Sequence, residues 1–118
     1  MSTLFDVIVC GTDIFIENHT ESVITGFLTC RRIDAQDAEQ AAVHACHQIL
    51  IHWNQSYNSD RKLGVPKLHV ELIQNARRWI NRAPTQEYYF YDSAERKREH
   101  FQQLCRSTRP WYRLNQSN

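Results

Sequence analysis

The chain has 118 residues, enough for one packed core and too few for two ordinary domains. Hydrophobic residues make up 42% and charged residues 23%, which excludes a disordered or collagen-like chain. A net charge of +1 argues against a dominant field of one sign, and three Gly and three Pro leave little for long irregular loops.

The first apolar run, Val7 to Cys10, has no basic residue before it and is far shorter than a secretory core, so no signal peptide is expected. No stretch approaches the roughly 18 apolar residues of a membrane-spanning helix, and no membrane partner is expected. Cys10, Cys30, Cys46 and Cys105 form no CxxC pair, which leaves a zinc ribbon or a thioredoxin-type motif without a basis. Their apolar neighbours favour buried free thiols in a reducing, cytoplasmic setting.

Residues 4–33 read as a long β-hairpin. Val7, Ile8, Val9, Ile14, Phe15 and Ile16, then Val23, Ile24, Phe27, Leu28 and Ile33, are the β-branched, aromatic and aliphatic types that suit strands. Glu17 to Ser22 is the polar turn, and Gly11-Thr12-Asp13 is a candidate bulge. A turn centred near His19 puts Ile8 opposite Cys30 and Asp6 opposite Arg32, a favourable cross-strand ion pair. In that register one face carries Leu4, Ile8, Cys10, Ile14, Ile16, Ile24 and Leu28. The other carries Phe5, Val7, Val9, Phe15, Val23 and Phe27. Both faces are apolar, so both need cover.

Residues 34–55 predict an amphipathic helix with Asp34 as its cap, Asp37 in its first turn, and Ala38, Ala42, Ala45, Cys46, Ile49 and Trp53 on one stripe. Residues 66–82 fit either state. Leu68, Val70 and Leu72 alternate as in a strand, whereas Leu68, Leu72, Ala76, Trp79 and Ile80 make a helical stripe behind Pro66. A strand over about 67–75 is preferred, because a two-stranded ribbon alone is marginal. Tyr88 to Tyr91 reads as a short strand. Asp92-Ser93-Ala94-Glu95 resembles a capping box opening a helix to about Ser107, with Ala94, Phe101 and Cys105 inward and Leu104 at the edge. Residues 108–118 read as a tail of one domain spanning residues 1–118. The predicted class is α+β: an antiparallel sheet on the N-terminal hairpin, a long helix on one face and a shorter C-terminal helix, in the order ββαββα, or ββααβα if 66–82 is helical.

No catalytic motif stands out. His44 and His47 share a helix face but point away from the apolar stripe without a third ligand, so no metal and no cofactor are expected. His52, near the helix end, suits the C-terminal dipole. Cys46 with His69 or His100 is a formal thiol dyad, yet Cys46 belongs to the buried stripe. Residues 1–60 carry −6 and residues 61–118 carry +7, with eleven of the fourteen basic residues arginine. Arg77, Arg78, Trp79, Arg82, Arg96, Arg98, Arg109, Trp111 and Tyr112 combine Arg with large aromatics, the types enriched at protein interfaces. The same types track and stack on nucleic acid.

The sequence therefore predicts a small non-enzymatic protein-binding factor (an adaptor, inhibitor or immunity-type protein), with nucleic-acid binding as the alternative and a metal- or thiol-dependent enzyme behind it. A homodimer through Phe5, Val7, Val9, Phe15 and Phe27 is also expected, because the shorter helix is too narrow to cover that face.

Overall fold

The computed structural model describes residues 2–14, 25–56, 65–76 and 84–107. Six elements follow one another: β1 (Thr3–Thr12), β2 (Gly26–Ala35), α1 (Ala38–Ser56), β3 (Lys67–Asn75), β4 (Tyr89–Tyr91) and α2 (Ala94–Ser107). The strands make one antiparallel sheet in the order β3-β1-β2-β4. The α+β class and the order ββαββα agree with the sequence reading, and residues 67–75 are a strand. The turn of the predicted hairpin lies outside the described residues.

Strands β1 and β2 pair in the predicted register, Ile8 with Cys30 and Asp6 with Arg32. The carboxylate of Asp6 accepts two hydrogen bonds from the Arg32 guanidinium, from Nε at 2.7 Å and Nη2 at 2.8 Å. That bidentate geometry lets a carboxylate sit buried in the middle of a sheet. The pairing runs unbroken through Gly11 and Thr12, so the bulge expected there is absent. The irregularity lies on β3, where Ile8 faces Leu72 but Val9 faces Val70, leaving Glu71 as the extra residue.

Both sheet faces are covered, in the opposite sense to the one expected. The longer helix α1 lies on Phe5, Val7, Val9, Phe27 and Ile33, with Ala41, Ala45, Ile49 and Trp53 as its buried ridge. Helix α2 covers Ile8, Cys10, Leu28 and Cys30 through Leu104, with Phe101 and Cys105 beside it. Val7, Val9 and Phe27 are 0% exposed and Phe5 is 7% exposed. The face assigned to a homodimer is thus the interior of this chain, and Phe15 lies outside the described residues. The expectation failed because small residues on α1 let it seat on the bulkier face, leaving the face with the two smaller cysteines to the shorter helix.

Local chemistry explains two further shifts. Strand β2 continues to Ala35, so Asp34 belongs to the strand and Asp37 caps α1, its Oδ1 accepting from the Gln40 amide at 2.8 Å. The ridge moves with the start, and Ala41 rather than Ala38 is buried. Asp13 adopts a left-handed backbone with φ of 61°, which breaks the two-residue alternation and sends Ile14 to the α1 side of the sheet. At the other helix, Ser93 is the cap and accepts from the Arg96 amide at 3.1 Å.

Gly11 marks the tightest packing in the sheet. A Cβ there would collide with the ring of Phe27, which is held from its other side by Trp53. Gly11→Ala is expected to lower stability by about 1–3 kcal/mol, read from chemical denaturation, because the ring has no free space to enter.

Candidate functional site

Of the nine residues assigned to a binding surface, Arg96 and Arg98 are described, and both are exposed on α2. Arg77, Arg78, Trp79, Arg82, Arg109, Trp111 and Tyr112 lie outside the described residues. Arg96 makes an exposed ion pair with Glu99 at 3.3 Å. Lys97 turns inward, pairs with Glu71 at 2.8 Å and lies over the Tyr91 ring at 5.9 Å. The bulge on β3 therefore aims a carboxylate at α2 and helps pin the helix to the sheet. Arg98 and Arg106 are exposed and make no ion pair among the described residues. They stand on a helix that also exposes Glu95 and Glu99.

His44 and His47 are exposed on α1, and no group of three or more His, Cys, Asp or Glu among the described residues could hold a metal ion. The thiol dyad does not assemble with His100. Cys46 packs with the α1 core, and His100 lies on α2 across the sheet, its Nε2 donating to the Phe90 carbonyl at 3.1 Å. Burial also pushes the Cys46 thiol up, away from nucleophilic use. All four cysteines are free.

A second polar cluster was not foreseen. Arg31 lies on the α1 side of β2 and is only 4% exposed. Its Nη1 donates to Thr29 Oγ1 at 2.6 Å, to the Cys30 carbonyl at 3.0 Å and to the Gln86 carbonyl at 3.1 Å. Its Nη2 donates to the Tyr88 hydroxyl at 3.4 Å, and the guanidinium carbon is 5.4 Å from that ring's centre. Every one of these partners is neutral. Burial holds the guanidinium below its ordinary value, partly offset by Tyr88 and Cys30. Gln86, which supplies one carbonyl, sits at a φ of 65°, a costly backbone for a residue with a side chain. β4 covers only Gly26 to Leu28, and beyond it Arg31 ties the 84–88 segment to β2 in place of strand pairing.

Tyr88 carries the network outward. It packs edge-on against Phe27 at 4.9 Å and Trp53 at 5.9 Å, so its ring has fixed walls. Its hydroxyl donates to the Ile49 carbonyl at 3.5 Å and lies 2.9 Å from His52 Nδ1. His52 Nε2 is in turn hydrogen-bonded to the Ser56 hydroxyl at 3.2 Å, the imidazole tautomer setting which group donates in each of the two contacts. His52 and Ser56 are exposed on the last turns of α1. The row Arg31, Tyr88, His52, Ser56 thus runs from the core to solvent. The register Val7 opposite Arg31 carried the signal for its inner end, since it puts an arginine on an apolar face.

Comparison of the chain with protein-family models, with curated proteins and with solved structures gave no match. No helix among the described residues is long and apolar enough to cross a membrane.

Proposed function

We propose that the chain is a small cytoplasmic binding protein that recognises another protein through the charged outer face of α2. The observation that carries this reading is the state of its arginines. Arg98 and Arg106 are exposed without an ion pair among the described residues, on a helix locked to the sheet by Leu104, Phe101 and Cys105. Two such cations on a rigid helix require no backbone ordering when a partner's carboxylates arrive. Their interleaving with Glu95 and Glu99 favours a protein surface of mixed sign over the uniform polyanion of a nucleic acid. Four free thiols suit a reducing compartment.

The test compares wild-type protein with the Arg98→Ala/Arg106→Ala double variant in capture from native lysate, with and without nuclease treatment. A species retained by the wild type, lost several-fold with the double variant and weakened by salt is the expected result. Retention that disappears on nuclease treatment, or that ignores both arginines, sinks the proposal. Salt-sensitive binding of oligonucleotides in fluorescence anisotropy would move the function to nucleic acid instead.

Self-association belongs to the same proposal, through a surface other than the buried Phe5, Val7, Val9 and Phe27. Val43 and Ile51 on α1 and Val65 and Val70 at β3 are the exposed large aliphatic side chains among the described residues. A monomer in light scattering at high concentration removes the homodimer.

A further inference from the structure

Helix α1 carries more apolar surface than its seat on the sheet requires. Its buried ridge is Ala41, Ala45, Ile49 and Trp53. A second strip runs along the outer side at helical spacing: Val43 and Ile51, 61% and 50% exposed, flanked by the half-buried Cys46 and Leu50. A helix that packs on one side needs one such strip.

Charge is missing from the same face. Between Glu39 and Asp60 the sequence holds no Asp, Glu, Lys or Arg, in a chain where these make up 23%. The other exposed positions are Gln40, His44, His47, Gln48, Asn54 and Gln55. Helix α2 is the contrast, with Glu95, Arg96, Arg98, Glu99 and Arg106 all exposed. Apolar side chains among uncharged neighbours have the make-up of an interface core, where charge is depleted.

The partner follows from the symmetry of the row. Val43 lies four residues before His47 and Ile51 four after it; Gln40 lies seven before and Asn54 seven after. Turned end for end about His47, the row maps aliphatic onto aliphatic and amide onto amide. A two-fold interface demands this, since residue i meets residue j and j meets i. Val43, His47 and Ile51 also form an i±4 ridge, the row that most often interlocks between helices. Antiparallel packing sets each positive helix N-terminus beside the other's negative C-terminus, whereas parallel packing would bring Glu39 toward its own copy.

We propose that the outer face of α1 is a self-association surface, on which a second copy of this chain packs antiparallel about His47. The surface rests on the self-association set out above, and the α2 arginines across the sheet take no part in it. One helix face is small beside the roughly 800 Å² per partner of a standard interface, so the dimer is weak and concentration-dependent.

Sedimentation of the full chain from about 10 μM to about 1 mM should show the mass rising from the 14.0 kDa of one chain toward twice that. Val43→Glu or Ile51→Lys, each at an exposed position, should weaken association at least about tenfold. The double variant Val43→Glu/Ile51→Lys is the sharper test. In the antiparallel pairing each introduced carboxylate meets the introduced ammonium of the other copy, so association should return. Parallel pairing would set like charge against like. Val70→Lys at β3 and Arg98→Ala on α2 should leave association as it is. A monomer at every concentration removes self-association altogether. A dimer that survives both single changes overturns the α1 surface alone, and its loss with Val70→Lys moves the contact to β3. A double variant that stays monomeric overturns the antiparallel packing.

Discussion

Trp53→Ala is expected to remove about 3–5 kcal/mol of folding stability, seen as a lower denaturant midpoint with an unchanged slope. Trp53 is fully buried at the end of the α1 ridge. Its ring stacks on Phe27 at 5.2 Å and meets Phe90 at 6.3 Å, so one truncation opens a cavity bordered by the sheet and the helix together. The neighbours cannot collapse into it. Phe27 is pinned against Gly11, and Tyr88 is tied by its hydroxyl to Ile49 and His52. Trp53→Phe refills most of the space and should recover more than half of the loss. The same substitution reaches the row from Arg31 to Ser56, since Tyr88 loses a wall. In the folded fraction of Trp53→Ala, the His52 ring signals should broaden or move, while those of His100 on α2 should stay. Full stability in Trp53→Ala would mean that α1 is not seated on this sheet face.

The sheet was readable because its constraints are local and redundant. Asp6 opposite Arg32 and Ile8 opposite Cys30 satisfy charge and apolarity at once, and any slip by one residue spoils both. The third strand followed from the marginal stability of a bare ribbon. Which helix covers which face was not readable, because two apolar faces make equal demands and periodicity says nothing about the crossover. Backbone exceptions were equally silent. The left-handed Asp13 moved Ile14 to the other side of the sheet, and the β3 bulge at Glu71 lies in a strand whose own alternation looks regular.

The candidate sites divide the same way. Arginines on α2 could be placed on a solvent face by helical spacing alone, and Arg96 and Arg98 are there. Arg31 is different. Its outer partners, Gln86 and Tyr88, are 55 and 57 residues away in sequence, so counting charges by halves could only file it among acidic neighbours. His52 suits the helix dipole by its position in the sequence alone, and only the tertiary contact with Tyr88 shows that both its ring nitrogens are hydrogen-bonded.

Alkaline pH is expected to weaken the fold through the opposite face of the sheet, beginning near pH 9 and well before any arginine titrates. Cys30 lies under α2, where burial, and then the nearby Asp6 carboxylate, push its thiol from an ordinary 9.0 to about 12, against the opposing pull of Arg31 and Arg32. In the unfolded chain that thiol ionises near its ordinary value. Between the two values the folded protein keeps a proton that the unfolded chain has lost, so stability falls as pH rises. Below the lower value both states hold the proton and the dependence vanishes. A three-unit difference amounts to about 4 kcal/mol once pH exceeds both values, of the same order as the whole stability of a small domain. The Tyr91 phenol is pushed in the same direction by burial and by its 3.1 Å hydrogen bond with Cys10, and steepens the loss. Urea midpoints measured across this alkaline range should decline steadily, and Cys30→Ala should flatten the decline at some cost in stability at neutral pH. The thiol should also stay silent toward disulfide-exchange reagents in the native state, since the thiolate is the reacting form. A flat profile in the wild type, or a Cys30 that reacts as fast as an exposed thiol, would mean that water reaches the α2 face and that Leu104 and Phe101 do not close it.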